Sequence, residues 1–263
     1  MKRIKLIGPD PRAVPAQSAW KLGWKSAGLL LDRYVQDNGE YPKSMVVSEW
    51  GTANMRTGGD DIAQVLALLG AKPSWDNVTG KVTGFEILPL SILNRPRIDV
   101  TLRVSVFSRD AFSNLMDLGD SAVRQIAMLD EPLDRNPIKA KYQEELQRYS
   151  GRDDAEFLAG ARVFGSKPGV YGAGMQTLMD EGVWQNDKNL AENYVNWGGY
   201  AYGAGVEGVS AKDTFITRLQ QTQLVVQNQD NREHDILDSD DYYQFEGGVT
   251  AAIRHYSVQT RNI

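Results

Sequence analysis

Two hydrophobic periods alternate along the first half of the chain, and that alternation restricts the fold more than any other feature. Trp20, Trp24, Ala27, Leu31 and Tyr34 recur at helical spacing. They predict a helix from Pro15 to Asp37 with one apolar face, ended by Asn38-Gly39 and Pro42. Met45-Val46-Val47 is a short β-type run within Ser44–Ser48. Ile62, Val65, Leu66 and Leu69 share one face of a second helix over Gly59–Leu69. Asp60 and Asp61 favour its first turn, and Gly70 stops it. Val82 to Leu90 reads as extended. Val100, Leu102, Val104 and Val106 alternate with Thr101, Arg103 and Ser105, a strand signature. Leu115, Leu118, Ala122, Ile126 and Leu129 return to helical period over Asn114–Leu129. Strands interleaved with helices predict an α/β fold.

Further on the texture changes. Pro137–Tyr149 and Asp153–Val163 are polar and helical in pattern, and 164–208 is rich in glycine and aromatic residues. Leu224-Val225-Val226 reads as a strand, and Asp240–Tyr256 as a last helix. The expected division is an α/β region of mixed strands and helices over 1–135, then a helix- and loop-rich region over 136–263.

Composition excludes several function classes. The 263 residues suit one large domain or two modest ones, with 41% hydrophobic and 24% charged residues supporting a globular core. A net charge of −5 without a basic stripe argues against nucleic acid. No apolar run approaches the ~18–20 residues of a membrane span. The N-terminal MKRIKLIGPDP lacks the apolar core of a signal peptide, so a cytoplasmic location is expected. Cysteine is absent, which excludes disulfides, thiolate metal sites and cysteine nucleophiles within this chain. With only His234 and His255, metal binding would lean on carboxylates and suit hard or borderline divalent ions.

The segment from Asp230 to Gly248, DNREHDILDSDDYYQFEGG, holds seven carboxylates, a histidine and a Tyr-Tyr pair. Such density needs a helix N-terminus, an arginine or a cation to offset it. Asp238 and Asp241 resemble a capping box, which accounts for Asp238, Asp240 and Asp241. Glu233-His234-Asp235 falls outside that explanation: an imidazole beside carboxylates binds cations or relays protons near neutral pH. Both readings stand at this point. Gly247-Gly248 would weaken a helix, so either the helix starts after them or something packs closely on their backbone. Asp238-Ser239-Asp240 also fits the D-x-D pattern of metal-dependent glycosyltransferases.

Other glycine patterns have plain alternatives. Gly203-Ala-Gly205-Val-Glu-Gly208 matches G-x-G-x-x-G, but no buried β-run precedes it, so a glycine-rich turn is the better reading. Arg56-Thr57-Gly58-Gly59-Asp60 joins a strand to a helix start, either as an anion cradle or as a tight connection. No G-x-x-x-x-G-K-[ST] occurs, so any ATP is bound by another chain. Trp50 and Trp197 are each followed by glycine, which would leave a ring face accessible.

Taken in order, several blocks resemble the cobaltochelatase/magnesium-chelatase large-subunit family. DPRAVPAQSAWKLG resembles its entry helix, and EWGTANMRTGGDDIAQVLALLGAKPSWD its W-G-T-x-x-x-(R/K)-T-x-G-(E/D) block. RPRIDVTLRVSVFSRDAF resembles its R-P-R-x-D-V-x-x-R-x-S strand and turn. FGSKPGVYGAG, NWGGYAYGAGVEG and QNQDNREHDILDSDDYYQFEGG follow in family order, the last closer to the cobalt than to the magnesium branch. The family's S-G-x-F-R-D turn appears as Ser105 to Asp110 without its glycine. The chain matches an internal piece, about a fifth of a family member. MKRIKLIG stands where the P-T-G-R-N stretch is usual, and the later Asn-Pro-Lys-Trp segment is absent.

The resemblance implies insertion of Co²⁺, as substrate metal, into a tetrapyrrole of the hydrogenobyrinic acid diamide type during cobalamin synthesis. ATP and Mg²⁺ would be bound by AAA+ partner subunits. On that implication Glu233, His234 and Asp235 form the proton-accepting, metal-delivering edge. His234, Asp238, Asp240 and Asp241 are the metal candidates, the three aspartates otherwise capping a helix. Trp197, Gly198, Gly199, Tyr200 and Tyr202 are expected ring contacts, and Arg56 and Arg109 partners for its propionate or acetamide arms. The alternatives are a non-catalytic module that binds tetrapyrrole or a partner subunit, a magnesium-chelatase subunit, or a glycosyltransferase.

Overall fold

The computed structural model describes residues 10–230 and 242–260. A six-stranded sheet runs in the order β7-β6-β5-β4-β1-β8. Its members are β1 (Ser44–Glu49), β4 (Asp99–Val104), β5 (Val163–Gly165), β6 (Tyr200–Gly203), β7 (Val206–Ser210) and β8 (Leu224–Gln227). β8, β1, β4 and β5 are parallel, while β6 and β7 add an antiparallel hairpin at one edge. A separate hairpin pairs β2 (Ala71–Trp75) with β3 (Val82–Ile87). The main sheet thus draws strands from both sides of residue 136.

Alternation along the strands feeds two cores. Met45, Val47, Val100, Leu102, Val104 and Val226 enter the first, with helices α1 (Gln17–Asn38), α3 (Asp60–Leu69) and α6 (Ser113–Ala127). Val46, Phe164 and Ala201 enter the second, with α10 (Asp187–Gly198), α11 (Lys212–Gln221) and α12 (Gly248–Thr260). Parallel strands covered on both faces are the expected consequence of crossover connections. The remaining helices, α2 (Gly51–Thr57), α4 (Leu90–Leu93), α5 (Val106–Ala111), α7 (Pro137–Arg148), α8 (Ala155–Gly160) and α9 (Gln176–Asp180), are mostly short connectors. Among the described residues no helix is long and apolar enough to cross a membrane.

The structure redraws some sequence expectations. The stripe of α1 that is buried is Ala19, Gly23, Ala27 and Leu31, not the tryptophan face. Small residues win because α3 crosses very close: a Cβ on Gly23 would lie 2.5 Å from the Gln64 nitrogen. Trp20 and Trp24 flank the crossing, with ring centroids 5.6 Å apart. Val106 leaves the strand and begins α5, because the Ser105 hydroxyl caps that helix by accepting from Ser108 N at 3.2 Å. The Arg56–Asp60 stretch joins α2 to α3 rather than a strand to a helix. Thr57 Oγ1 accepts from Gly59 N and Asp60 N there, so the turn satisfies its own amides and is a tight connection. The G-x-G-x-x-G stretch is the β6–β7 hairpin, with Gly203, Ala204 and Gly205 all at positive φ. At the far end, a π-type turn (Tyr243–Gly247) runs directly into α12. Gly248 lies inside that helical run because its backbone packs on Tyr194, where a Cβ would meet the ring at 2.5 Å.

The polar face of β4 is buried, not solvated. Asp99 accepts from Arg162 Nε at 2.6 Å and from Arg218 Nη1 at 2.8 Å. Glu145 of α7 accepts from Arg218 Nη2 and lies 3.7 Å from Arg162 Nη1. Burial alone would raise the Asp99 pKa, but the two guanidiniums outweigh it and hold the carboxyl below its usual range. Two cations and two anions make a neutral quartet that ties β4, α7 and α11 together. Removing one member leaves an uncompensated buried charge, which costs about 3–5 kcal/mol. Asp99→Ala is therefore expected to lower unfolding free energy by that amount in urea titration. A change below 1 kcal/mol would contradict the quartet's role.

Candidate active site at the carboxyl edge of the sheet

From β1 the chain steps to β4 and then β5, but β8 returns to the opposite side of β1. The carboxyl ends of β1 and β8 therefore flank a topological switch point, where α/β sheets bind ligands. Three loops or helix starts converge there: Trp50-Gly51 after β1, Ser105 after β4 and Asn228–Asp230 after β8. The Ser105 hydroxyl also accepts from Gly51 N at 3.1 Å, fixing two of these ends to each other.

One side of the crevice is acidic and buried. Glu49, the last residue of β1, is 2% exposed and accepts from the Asn54 amide. Burial pushes its carboxyl up to about 7. Asp61, in the first turn of α3, is equally enclosed. Its pKa is raised by burial, and the charges of Glu49, Asp60 and Asp230 add to that. Asn228 Nδ2 donates to Asp61 Oδ1 and to Gln64 Oε1, both at 2.7 Å. Two residues on, Asp230 receives a bidentate pair from Arg56, at 2.5 Å from Nε and 2.9 Å from Nη2. α2 and α3 thus hold the chain where the acidic segment starts, and an arginine offsets its first charge.

Beside this lies an aromatic cleft of about 280 Å³, lined by Trp50, Ser105, Phe107, Tyr171, Gln244 and Phe245 among others. Trp50 packs against Tyr242 with ring centroids 5.2 Å apart and meets Phe245 edge-on at 6.0 Å. A second cleft, of about 360 Å³, opens between α5, α6 and the β6–β7 hairpin, with Arg109, Asp110, Asp117 and Glu207 on its walls.

The expected site residues divide into three groups. Glu233, His234, Asp235, Asp238, Asp240 and Asp241 lie outside the described residues. Among the described residues, no group of three or more His, Cys, Asp or Glu side chains is placed to hold a metal. Both arginines hold protein groups. Arg56 pairs with Asp230. Arg109 pairs with Asp110 at 2.6 Å and donates to the Ser166 and Lys167 carbonyls, stitching α5 to the loop after β5. The expected ring contacts are scattered and mostly packed inside. The Trp197 ring covers Gly174, Gly198 backs onto Arg103, and Gly199 backs onto Lys212. Tyr200 packs on the first core, and the Tyr202 hydroxyl donates to Ser166 O with its ring on the second cleft. The glycines after Trp50 and Trp197 serve close packing: a Cβ on Gly51 would lie 2.5 Å from the Phe107 ring.

Glu49, Asn228 and Phe245 are the residues that sequence reasoning passed over, while Trp50 was noted only for an accessible ring face and Asp61 only as a first-turn acid. Part of the signal was there, in an acid closing the run Met45-Val46-Val47-Ser48-Glu49. Because Glu49 is more basic folded than unfolded, the native state binds the extra proton. Its contribution to stability is full below pH 4.5 and is lost as pH rises to about 7. Glu49→Gln should flatten that slope, so the wild type loses about 3 kcal/mol relative to the variant between pH 4.5 and 8. Parallel stability curves would show that burial does not raise Glu49.

Comparison with known proteins places this architecture. Residues 6–263 match the family model described as CobN/Magnesium Chelatase. The chain is 56% identical over 247 residues to the aerobic cobaltochelatase subunit CobN of a Sinorhizobium species, covering 92% of this chain and 19% of that protein. It is 33% identical over 255 residues to a magnesium-chelatase subunit of Chlorobaculum parvum, covering 97% of this chain and 20% of that protein. The catalytic subunit of cobaltochelatase from Mycobacterium tuberculosis superposes with a TM-score of 0.92 at 44% identity, covering 95% of this chain and 21% of that one. The chain therefore spans about a fifth of the length of the proteins it matches. On a family model matched along nearly its whole length, this chain belongs to the CobN/Magnesium Chelatase family.

Proposed function

We propose that this chain is part of the large subunit of an ATP-dependent chelatase that inserts Co²⁺ into a corrin precursor. The observation that carries the reading is the graded similarity: 56% and 53% identity to two cobaltochelatase subunits, against 33% to a magnesium-chelatase subunit, over comparable spans. The substrate is a tetrapyrrole of the hydrogenobyrinic acid diamide type. ATP and Mg²⁺ belong to AAA+ partner subunits, in keeping with the missing P-loop. The setting is the cytoplasm.

Metal insertion requires three things of a protein. Water must leave the metal, two pyrrole N–H protons must be accepted, and the flat ring must be held at its edge. Trp50, Tyr171 and Phe245 offer aromatic surface for the ring at the switch point. Glu233, His234 and Asp235 are the proposed proton acceptors and metal-delivering edge, with His234, Asp238, Asp240 and Asp241 as ligands of the incoming cation. A carboxylate-rich set with one imidazole is a donor set suited to a borderline divalent ion, whose bound waters those donors can replace. Glu49, with its carboxyl near 7 and close to Asp61, is suited to take a proton passed inward at neutral pH.

Removing a positioned acid–base group slows a reaction about 10²–10⁴-fold. His234→Ala, in a full-length subunit assayed with saturating ATPase partner, is expected to lose cobalt insertion to that degree. Turnover close to wild type would remove His234 from the chemistry. An absorbance shift on adding the metal-free ring, with no metal incorporated by the unsubstituted protein, would favour a binding module over a chelatase.

A further inference from the structure

Four arginines are wholly enclosed: Arg97, Arg103, Arg162 and Arg218. Three have a carboxylate. Arg97 pairs with Glu131 at 2.7 Å, and Arg162 and Arg218 share Asp99 and Glu145. Arg103 has none among the described residues. Its Nη1 donates to the Val104 carbonyl, while Nε and Nη2 make no well-formed hydrogen bond there; the Tyr194 hydroxyl is close enough to feel the cation but is itself left without a formed bond. Two rings face the cation instead, Tyr194 at 5.4 Å and Phe245 at 5.5 Å from its central carbon. Rings offset part of the charge but leave the in-plane N–H donors unsatisfied.

The surroundings of Arg103 lack partners in the same way. Among the described residues, neither the buried hydroxyl of Ser48, its register neighbour on β1, nor the buried indole N–H of Trp50 meets a partner. Gly198 keeps space at the guanidinium edge, since a Cβ there would lie 3.0 Å from Nε. Phe245 is the partition. Its ring lies against Arg103 on one side and lines the Trp50 cleft on the other. It is carried by the π-type turn Tyr243–Gly247, and such turns concentrate at functional sites.

We propose that Arg103 is the anchor for a carboxylate of the ligand held in the Trp50–Phe245 cleft, reached when the Phe245 ring turns aside. This rests on the tetrapyrrole reading given above and names which group of the ring is recognised. A guanidinium fork matches a carboxylate with two parallel hydrogen bonds. The cleft lining contains no lysine or arginine, and among the described residues Arg103 behind Phe245 is the one cation that ring covers, so the site suits a single carboxylate rather than a doubly charged phosphate. The two sides of the switch point then have opposite tasks. Glu49 and Asp61 face it with acid, and Arg103 supplies the cation that orients the ring.

The test uses a full-length cobaltochelatase subunit whose matching span is replaced by this sequence. The probes are a metal-free porphyrin with free carboxylates and the same ring with those groups converted to amides, each titrated by absorbance. The unsubstituted protein should prefer the carboxylate ring at least tenfold. Arg103→Met should abolish that preference without lowering the Tm, because replacing an unpaired buried charge by an apolar side chain is neutral or stabilising. Arg103→Lys should keep the preference while weakening binding about tenfold, through loss of the bidentate fork. Phe245→Ala should speed association of the carboxylate ring. Equal binding of both rings by the unsubstituted protein would overturn the Arg103 site alone. So would an Arg103→Met protein that melts earlier yet keeps the preference, since that is how a structural arginine behaves. Binding of neither ring would overturn the tetrapyrrole reading itself.

Discussion

The fold hangs on β4 being buried on both faces although one of its faces is polar. Val100, Leu102 and Val104 fill the first core, while Asp99, Thr101 and Arg103 point into the second layer. A strand like that is stable only if the second layer supplies partners. At its amino end the charges balance, since Arg162, Arg218 and Glu145 close a neutral cluster around Asp99, although Glu145 Oε1, Arg162 Nη2 and Arg218 Nε make no hydrogen bond among the described residues. At its carboxyl end Arg103 has no carboxylate among the described residues, only the Val104 carbonyl and two aromatic rings. One row of side chains thus passes from structural balance to unspent charge over four residues. The unspent end is the one at which parallel sheets bind ligands.

The same edge is also asymmetric across the sheet. Glu49 and Asp61 lie toward α2 and α3, while Arg103 lies toward α10 and α12. Each acid accepts from an amide, Glu49 from Asn54 and Asp61 from Asn228, and protonation of Glu49 near neutral pH lessens their repulsion. The Arg56–Asp230 pair adds an ion bridge between residues 174 apart in sequence. Nothing in this arrangement is needed to build a sheet. Buried acids with raised pKa values beside a buried cation that has no carboxylate among the described residues are costly, and such costs are characteristic of functional sites.

Much of the fold was legible from period alone. The β1 and β8 runs came through as short apolar stretches, β4 through its alternation of apolar and polar residues, and the helices ended by Gly39 and Gly70 through their apolar stripes. What did not come through has physical reasons. β5 is three residues long, too short for any period, and the β6–β7 hairpin is hidden in glycine-rich sequence. α2 and α5 begin at strand ends, where one capping hydroxyl or a Trp-Gly step decides the turn. On α1, closeness to α3 selected small residues over the large ones that a hydrophobicity pattern favours. At the site, pairings such as Arg56 with Asp230 and Asn228 with Asp61 cross the whole chain and leave no local signature. The division between a capped and a cation-holding acidic segment rests on residues 231–241. There the described neighbours contribute one fact: Arg56 offsets the first charge.

The most direct measurement is a structure of the full-length subunit with a metal-free tetrapyrrole bound. The ring should lie at the carboxyl ends of β1, β4 and β8, against Trp50 and Phe245, with one carboxylate on Arg103. A ring bound at the opposite end of the sheet, in the cleft formed by Lys43, Asp134 and Lys141, would contradict the account.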